Sequence, residues 1–204
     1  MDDPYRITRP EQLRQVIAAP RVGSPSKVMA ALDEPARQFI GQSPLVFVAT
    51  AGEGFELDVS PKGDEPGFVQ VDDASTLLLP ERSGNRLTFG FHNILQTGRI
   101  GLIFVVPGVR ETLRVNGRAE ITADPALLQR LASQGKPALL ATRVAVQECF
   151  FHCGKAFIRS RTWDPATWPA GPARTAALAN WSRVFAMSEE AIGKILDDDY
   201  RHNL

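Results

Sequence analysis

The sequence predicts a mainly β fold with α (α+β): an antiparallel β-barrel of six to seven strands with flanking helices. Three observations predict it. Apolar or alternating runs of strand length recur from about Ser43 to Phe151, punctuated by Gly, Pro and Asp turns. One helical pattern interrupts that series and others stand at its two ends. Most links between runs are too short for the crossover that parallel strands need, so the pairing is antiparallel. At 204 residues, with 44% apolar and 23% charged residues, the chain can bury a substantial core without disulfide staples.

The elements follow in order. Thr8 to Glu11 fits a capping box, with Thr8 as N-cap and Glu11 at the third helical position, opening a short helix to about Ala18. A loop rich in Pro, Gly and Ser follows (APRVGSPSK), then a helix over about Val28 to Leu32 and another from near Asp33 to Gly41. SPLVFVATA is a β-branched and aromatic strand, closed by a hairpin-like turn at Gly52 and Gly54. FELDVS alternates as a half-buried strand should, and GFVQV, STLLLP, RIGLIFVVPG and ETLRVNGRAEIT continue the series. Asp124 as N-cap with Pro125 in the first turn starts a helix to about Ser133. ALLATRVAVQECFF reads as one long strand. Helices are expected over about Phe151 to Ser160, Arg174 to Ala186 and Ser188 to Leu196. The chain thus divides into an N-terminal helical segment (1–42), a barrel (43–160) and a C-terminal helical extension (161–204).

Several function classes are excluded at this level. Formal net charge is zero, so no global field draws the protein to nucleic acid or to an anionic membrane, and neither partner is expected. MDDPYRITRPEQ lacks the basic start and apolar middle of a signal peptide, and GLIFVVPG is too short to cross a bilayer. Two neighbouring cysteines make poor staples; the expected location is the cytoplasm. There is no G-x-S-x-G elbow and no P-loop, and GEGFEL has two glycines of a dinucleotide fingerprint but joins two strands. Cys149, His152 and Cys153 would share one face of a helix, yet no fourth ligand is near, so buried thiols beside a packed imidazole are expected and no metal. His92 has no carboxylate or nucleophile in evident partnership. No catalytic residue is assigned.

Three segments carry anion-binding chemistry. LDVSPKGDEPGFV places Ser60, Lys62 and Asp64 at a strand end; LLLPERSGNR gathers Arg82, Asn85 and Arg86 around a Ser-Gly turn; ETLRVNG sets Thr112 and Arg114 on one face of a strand. A phosphate dianion needs several donors at once, and guanidinium forks, an ammonium, hydroxyls and free backbone N–H groups supply them. Each segment also reads as an ordinary solvated turn.

In order and spacing, these segments resemble the pyridoxamine 5'-phosphate oxidase-like, FMN-binding split-barrel family. LDVSPK falls where those oxidases carry the first flavin-contacting strand, which ends in a Lys. LPERSGNR falls where they carry a strand end and an adjacent basic pair, so that Arg86 takes the place of a phosphate-binding Lys and Asn85 that of an Arg. FHNILQTGRIGLIFVVPG resembles the following helix-turn-strand, and TLRVNGRAEI the next strand, with Thr112 at the position of a flavin-contacting Gln. SPKGD…PGFV with PGVRETLRVNG, and FFHCGKAFIRSRTWDP, resemble one bacterial subgroup.

The resemblance implies a split barrel over 43–160, FMN as cofactor, and a homodimer with the flavin between two barrels. It implies cofactor contacts from Asp58, Val59, Ser60, Pro61 and Lys62, from Leu79, Pro80, Arg82, Asn85 and Arg86, and from Thr112 and Arg114. The phosphate would lie among Ser60, Lys62, Arg82, Asn85 and Arg86, with Thr112 on the pyrimidine side and a cation, Arg114 or Lys155, beside it. The C-terminal Arg and His segment with which the true oxidases grip pyridoxamine phosphate is absent, so oxidation of vitamin B6 is not implied. The expected function is an FMN-dependent oxidoreductase acting on a small molecule. Alternatives are a non-catalytic flavin carrier or sensor, or a split barrel binding haem, with His92 or His152 as axial ligand, or a deazaflavin. Lys155 to Trp163 reads either as an amphipathic helix packing Phe157 and Ile158 on the barrel, or as a cover that sets Lys155, Arg159 or Trp163 over the flavin.

Overall fold

The structure, a computed structural model, describes residues 3, 5–20, 25–171 and 174–202. Its seven strands are β1 (Leu45–Ala51), β2 (Leu57–Gly63), β3 (Gln70–Asp73), β4 (Thr76–Glu81), β5 (Arg99–Val105), β6 (Thr112–Thr122) and β7 (Leu140–His152). They form one antiparallel sheet in the order β2-β1-β5-β6-β7-β4-β3. Its α-helices are α1 (Pro10–Val16), α2 (Glu34–Gln42), α3 (Phe89–Thr97), α4 (Pro125–Arg130), α5 (Lys155–Ser160), α6 (Arg174–Phe185) and α7 (Glu189–His202). The expected α+β barrel is what is found.

Alternation along the strands decides what lies inside. Val46, Val48 and Thr50 on β1, Ile100, Leu102 and Phe104 on β5, and Leu113 and Val115 on β6 are buried, while the residues between them are exposed or half-buried. Burying one such aliphatic side chain contributes about 1.5–3 kcal/mol. Helix α2 adds Ala36 and Ile40 to this core; its N-cap, Asp33, accepts from the Ala36 N–H at 2.9 Å. A second, smaller cluster joins Leu127 and Leu131 of the α4 region to Leu78, Ala138 and Ala141.

β2 and β3 are both edges, so backbone hydrogen bonds do not close the ring. Two ion pairs cross the gap instead. Lys62 Nζ on β2 lies 2.7 Å from Glu81 Oε2 at the end of β4, and Arg82 Nε lies 2.6 Å from Asp64 Oδ2. β2 and β4 stand first and sixth in the sheet order, so these contacts exist only because the sheet curls. A bulge lies where β6 slips against β7 between Asn116 and Gly117. A Cβ on Gly117 would run into the Ala145 carbonyl oxygen.

Some expectations are corrected. Thr8 is not the N-cap: the Gln12 side-chain carbonyl accepts from the N–H groups of both Thr8 and Arg9, at 2.9 and 3.0 Å, and Arg9 caps a helix that opens on Pro10. There is no helix over 28–32. Met29 exchanges both backbone hydrogen bonds with Cys149 and the Leu32 N–H donates to the Ala74 carbonyl, which ties a bent segment to β7 and to the β3–β4 turn; only Pro25–Lys27 makes a 3-10 turn. The loop read as APRVGSPSK includes positions 21–24, outside the described residues. Phe151 and His152 belong to β7, opposite Leu113 and Thr112, so helix α5 starts only at Lys155. The α4 helix stops at Arg130, and α7 runs past Leu196 to His202. Among the described residues no helix is long and apolar enough to cross a membrane.

Gly117→Ala forces the two longest strands apart and is expected to destabilise the protein by about 1–3 kcal/mol in chemical denaturation. An unchanged midpoint would show that the bulge absorbs a methyl group freely.

Candidate functional site

A cleft of about 770 Å³ opens at the split between β2 and β4. Its walls are β2 from Asp58 to Gly63, the end of β4, the following loop to Thr88, the first turn of α3, and Leu140 and Thr142 of β7. On β2 the residues alternate between half-buried Asp58, Ser60 and Lys62 and exposed Val59 and Pro61. Pro61, without an N–H, suits a strand with one unpaired edge. Asn93, buried on α3, ties the helix to the barrel: its Nδ2 donates to Thr50 Oγ1 at 3.1 Å and to the Glu56 carbonyl at 3.2 Å.

The charges in this cleft are unequally available. Lys62 donates to both Glu81 oxygens, at 2.8 and 2.7 Å, and its ammonium lies 5.8 Å from the Phe91 ring centroid. Arg82 faces Asp64 and also donates from Nη2 to the Leu131 carbonyl at 2.9 Å. Its Nη1 is buried with no partner among the described residues. Arg82 lines both the main cleft and a smaller one of about 170 Å³ beside Asp64 and Ser133. Burial, the largest influence on Asp64, opposes its ionisation. The N–H of Glu65, the Arg82 guanidinium and the Ser133 hydroxyl together outweigh it and hold the carboxyl below its ordinary value.

Arg86 differs from the other two cations. It is exposed and, among the described residues, has no hydrogen-bond or ion-pair partner. It sits at φ 59, followed by Thr88 at φ 56; the Asn85 carbonyl Oδ1 accepts from the Leu87 N–H at 3.0 Å and shapes the turn. Thr88 is the N-cap of α3, and its side chain makes no capping hydrogen bond. The first turn of the helix, Phe89 to Phe91, therefore brings uncapped N–H groups to the cleft wall. Gly90 leaves room for a carboxylate there: a Cβ on it would lie 3.0 Å from Asp58 Oδ2.

Of the residues picked from the sequence, Asp58, Val59, Ser60, Pro61, Lys62, Leu79, Pro80, Arg82, Asn85 and Arg86 all line this one cleft. Thr112 and Arg114 do not. With Leu113 and Val115 buried inside, these two sit on the outer face of β6, opposite His152 and Phe150 of β7. Sequence reasoning missed Glu81, Thr50, Thr142 and the uncapped start of α3, all in the cleft wall. Inward alternation on β1 was the available signal for Thr50. His92 is exposed and does not line the cleft. Cys149 and His152 lie on a strand, not a helix: Cys149 is buried, with its thiol pushed up to about 11 by burial and by Asp33, whereas His152 and Cys153 are exposed. Ile158 is exposed, and Phe157 stacks on Trp163 at 5.3 Å, whose Nε1 donates to the Val109 carbonyl at 2.8 Å.

The family model described as pyridoxamine 5'-phosphate oxidase matches residues 32–153, more than half of the chain. The chain belongs to the pyridoxamine 5'-phosphate oxidase family. The match spans every strand and the whole cleft wall, and flavin is commonly bound in this family. No curated protein matches the chain. Among solved structures, HupZ from Group A Streptococcus is 19% identical, covering 59% of this chain and 93% of its own, with a TM-score of 0.48. A Clostridium acetobutylicum protein related to general stress protein 26 is 18% identical, covering 60% and 91%, with a TM-score of 0.46. An F420 reductase is 17% identical, covering 59% and 98%, with a TM-score of 0.42.

Asp64→Asn is expected to lower stability at neutral pH by about 1–3 kcal/mol, because Arg82 would lose its carboxylate. Folding lowers the Asp64 pKa, so its contribution is complete above the unfolded value of 3.8 and is lost as pH falls through the lowered folded value. The stability gap between parent and variant, followed by urea denaturation, should close on acidification below that range. A gap that widens on acidification would refute the assignment.

Proposed function

We propose that the protein is an FMN-binding flavoprotein, an oxidoreductase that acts on a small molecule as a homodimer. The observation that carries this reading is the unpaired Arg86 beside the uncapped N-terminus of α3, in a cleft of about 770 Å³. That volume lies within the range of cofactor pockets. An exposed guanidinium and free helical N–H groups are the donor set a phosphate monoester needs.

The residues present fit the group. Arg86 and the first turn of α3 would hold the phosphate, with Ser60 supplying a hydroxyl. Lys62 contributes only as far as Glu81 releases it, and Arg82 is bound to Asp64, so neither is the principal anion ligand. The unpaired edge of β2 offers backbone N–H and C=O groups along Asp58 to Ser60, and Leu79, Pro80 and Leu140 give apolar wall. When bound, the flavin supplies hydride and electron transfer; the chain binds it, orients it and limits water. No side chain in the cleft is assigned to proton transfer, and hydride transfer to a flavin does not require one. Flavin binding resides in 43–160, with 1–42 and 161–204 as helical additions.

The homodimer has its own support. The outer faces of β2, β1 and β5 expose Leu57 at 79%, Val59 at 66%, Phe47 at 39% and Ile103 at 42%. Pro61, Phe47 and Ile103 lie in one cross-strand row, and Val59, Ala49 and Gly101 in the next. A contiguous apolar sheet face of this kind is what a second copy covers.

Protein purified in the dark should be yellow, or become so with added FMN, and a reductant should bleach it. A colourless protein that gives no heat with FMN in calorimetry would overturn the proposal. Arg86→Ala should weaken FMN by roughly 1.5–3 kcal/mol, ten- to a hundredfold in Kd, whereas an unchanged constant would place the phosphate elsewhere.

A further inference from the structure

Five charged side chains line the main cleft: Asp58, Lys62, Glu81, Arg82 and Arg86. Carboxylates hold two of the three cations, and they hold them differently. Arg82 donates from Nε to Asp64 at 2.6 Å and from Nη2 to the Leu131 carbonyl at 2.9 Å. Asp64 in turn accepts from the Ser133 hydroxyl at 2.8 Å and from the Glu65 N–H at 2.9 Å. Drawing Arg82 away would strand a carboxylate that three groups now share, so this pair is fixed. Glu81 has no such support. Among the described residues Lys62 is the one hydrogen-bond partner of its carboxylate, and the two side chains remain 28% and 20% exposed. The second pair can therefore be exchanged for another.

Lys62 also stands where a phosphate would lie. Its ammonium is 5.8 Å from the centroid of the Phe91 ring, and Phe91 belongs to the first turn of α3, whose uncapped N–H groups face the same cleft. Left unpaired, an ammonium here would be a second anion subsite next to the first. Glu81 already fills it with both oxygens, at 2.8 and 2.7 Å. An anion that belongs to the chain gives up no translational freedom to bind, which an incoming group must do.

We propose that Glu81 is a specificity residue: it fills the Lys62 anion subsite from within, so that the cleft accepts a ligand carrying one phosphate group and rejects one carrying two. This rests on the FMN reading, and among flavins the choice it makes is FMN over FAD. A second phosphate would approach the Glu81 carboxylate, which repels it, and Lys62 could answer only by leaving that carboxylate unpaired.

Glu81→Gln tests the idea, since it removes the charge but keeps an amide oxygen to accept from Lys62 across the seam. Dissociation constants for FMN and FAD are measured by calorimetry. The parent should favour FMN, and the variant should gain about tenfold for FAD relative to FMN, the worth of one freed charge-assisted contact. An unchanged ratio of the two constants, or a parent that binds FAD as tightly as FMN, overturns the proposal. Adding Lys62→Met separates this role from a loosened seam: the gain should vanish with the ammonium, and a gain that survives overturns the proposal. A further measurement needs no flavin. With the first subsite removed by Arg86→Ala, inorganic pyrophosphate should bind about tenfold more tightly once Glu81→Gln is added. Equal affinity overturns the role of Glu81, whereas a gain for pyrophosphate in a protein that takes up neither flavin would leave that role standing and the flavin reading lost.

Discussion

Charge, not backbone hydrogen bonding, spans the open seam of this barrel. The ladder ends at β2 on one side and β3 on the other, and what joins β2 to the end of β4 is Lys62 with Glu81 and Asp64 with Arg82. Partly buried pairs of this kind must offset the loss of hydration. The Asp64 carboxylate does so with further donors, from Glu65 and Ser133. Side chains hold strands farther apart than a ladder does, and the space they leave is the cleft. Closure of the barrel and the opening of the cleft therefore depend on the same four side chains.

This sharing also ranks the cations. Three basic side chains line one cavity, and on sequence alone they look equivalent. Two of them are engaged in holding the seam, and only Arg86 stands without a partner among the described residues. The loop geometry that frees it, with Arg86 and Thr88 both at positive φ, leads directly into the uncapped first turn of α3. The helix is in turn anchored through Asn93 to β1 and to the Glu56 carbonyl. A buried amide thus fixes the helix whose first turn forms part of the cleft wall.

Much of the architecture was legible in the sequence because strand alternation and turn chemistry agree with the final packing at nearly every position from Leu45 to Phe151. The segment 28–32 was not, because nothing local reveals that Met29 finds its hydrogen-bond partner in Cys149, far along the chain. Ten of the chosen site residues converge because they sit on β2, the end of β4 and the loop after it, where spacing in sequence carries over into space. Glu81 escaped notice for the opposite reason: a sequence displays charges but not which of them neutralise each other. Thr112 and Arg114 point away from the cleft, because the alternation that buries Leu113 and Val115 turns them to the outer face of β6.

Cys149 lies at full depth in the barrel, hydrogen-bonded through its backbone to Met29, and its sulfhydryl remains protonated throughout the neutral range. Since only the thiolate attacks electrophiles, the native fold shields this sulfur twice over, by access and by ionisation. Alkylating reagents can reach it only when the strands come apart. The molecule therefore carries its own label for global opening, set beside an exposed neighbour, Cys153, that reacts whether the barrel is open or shut.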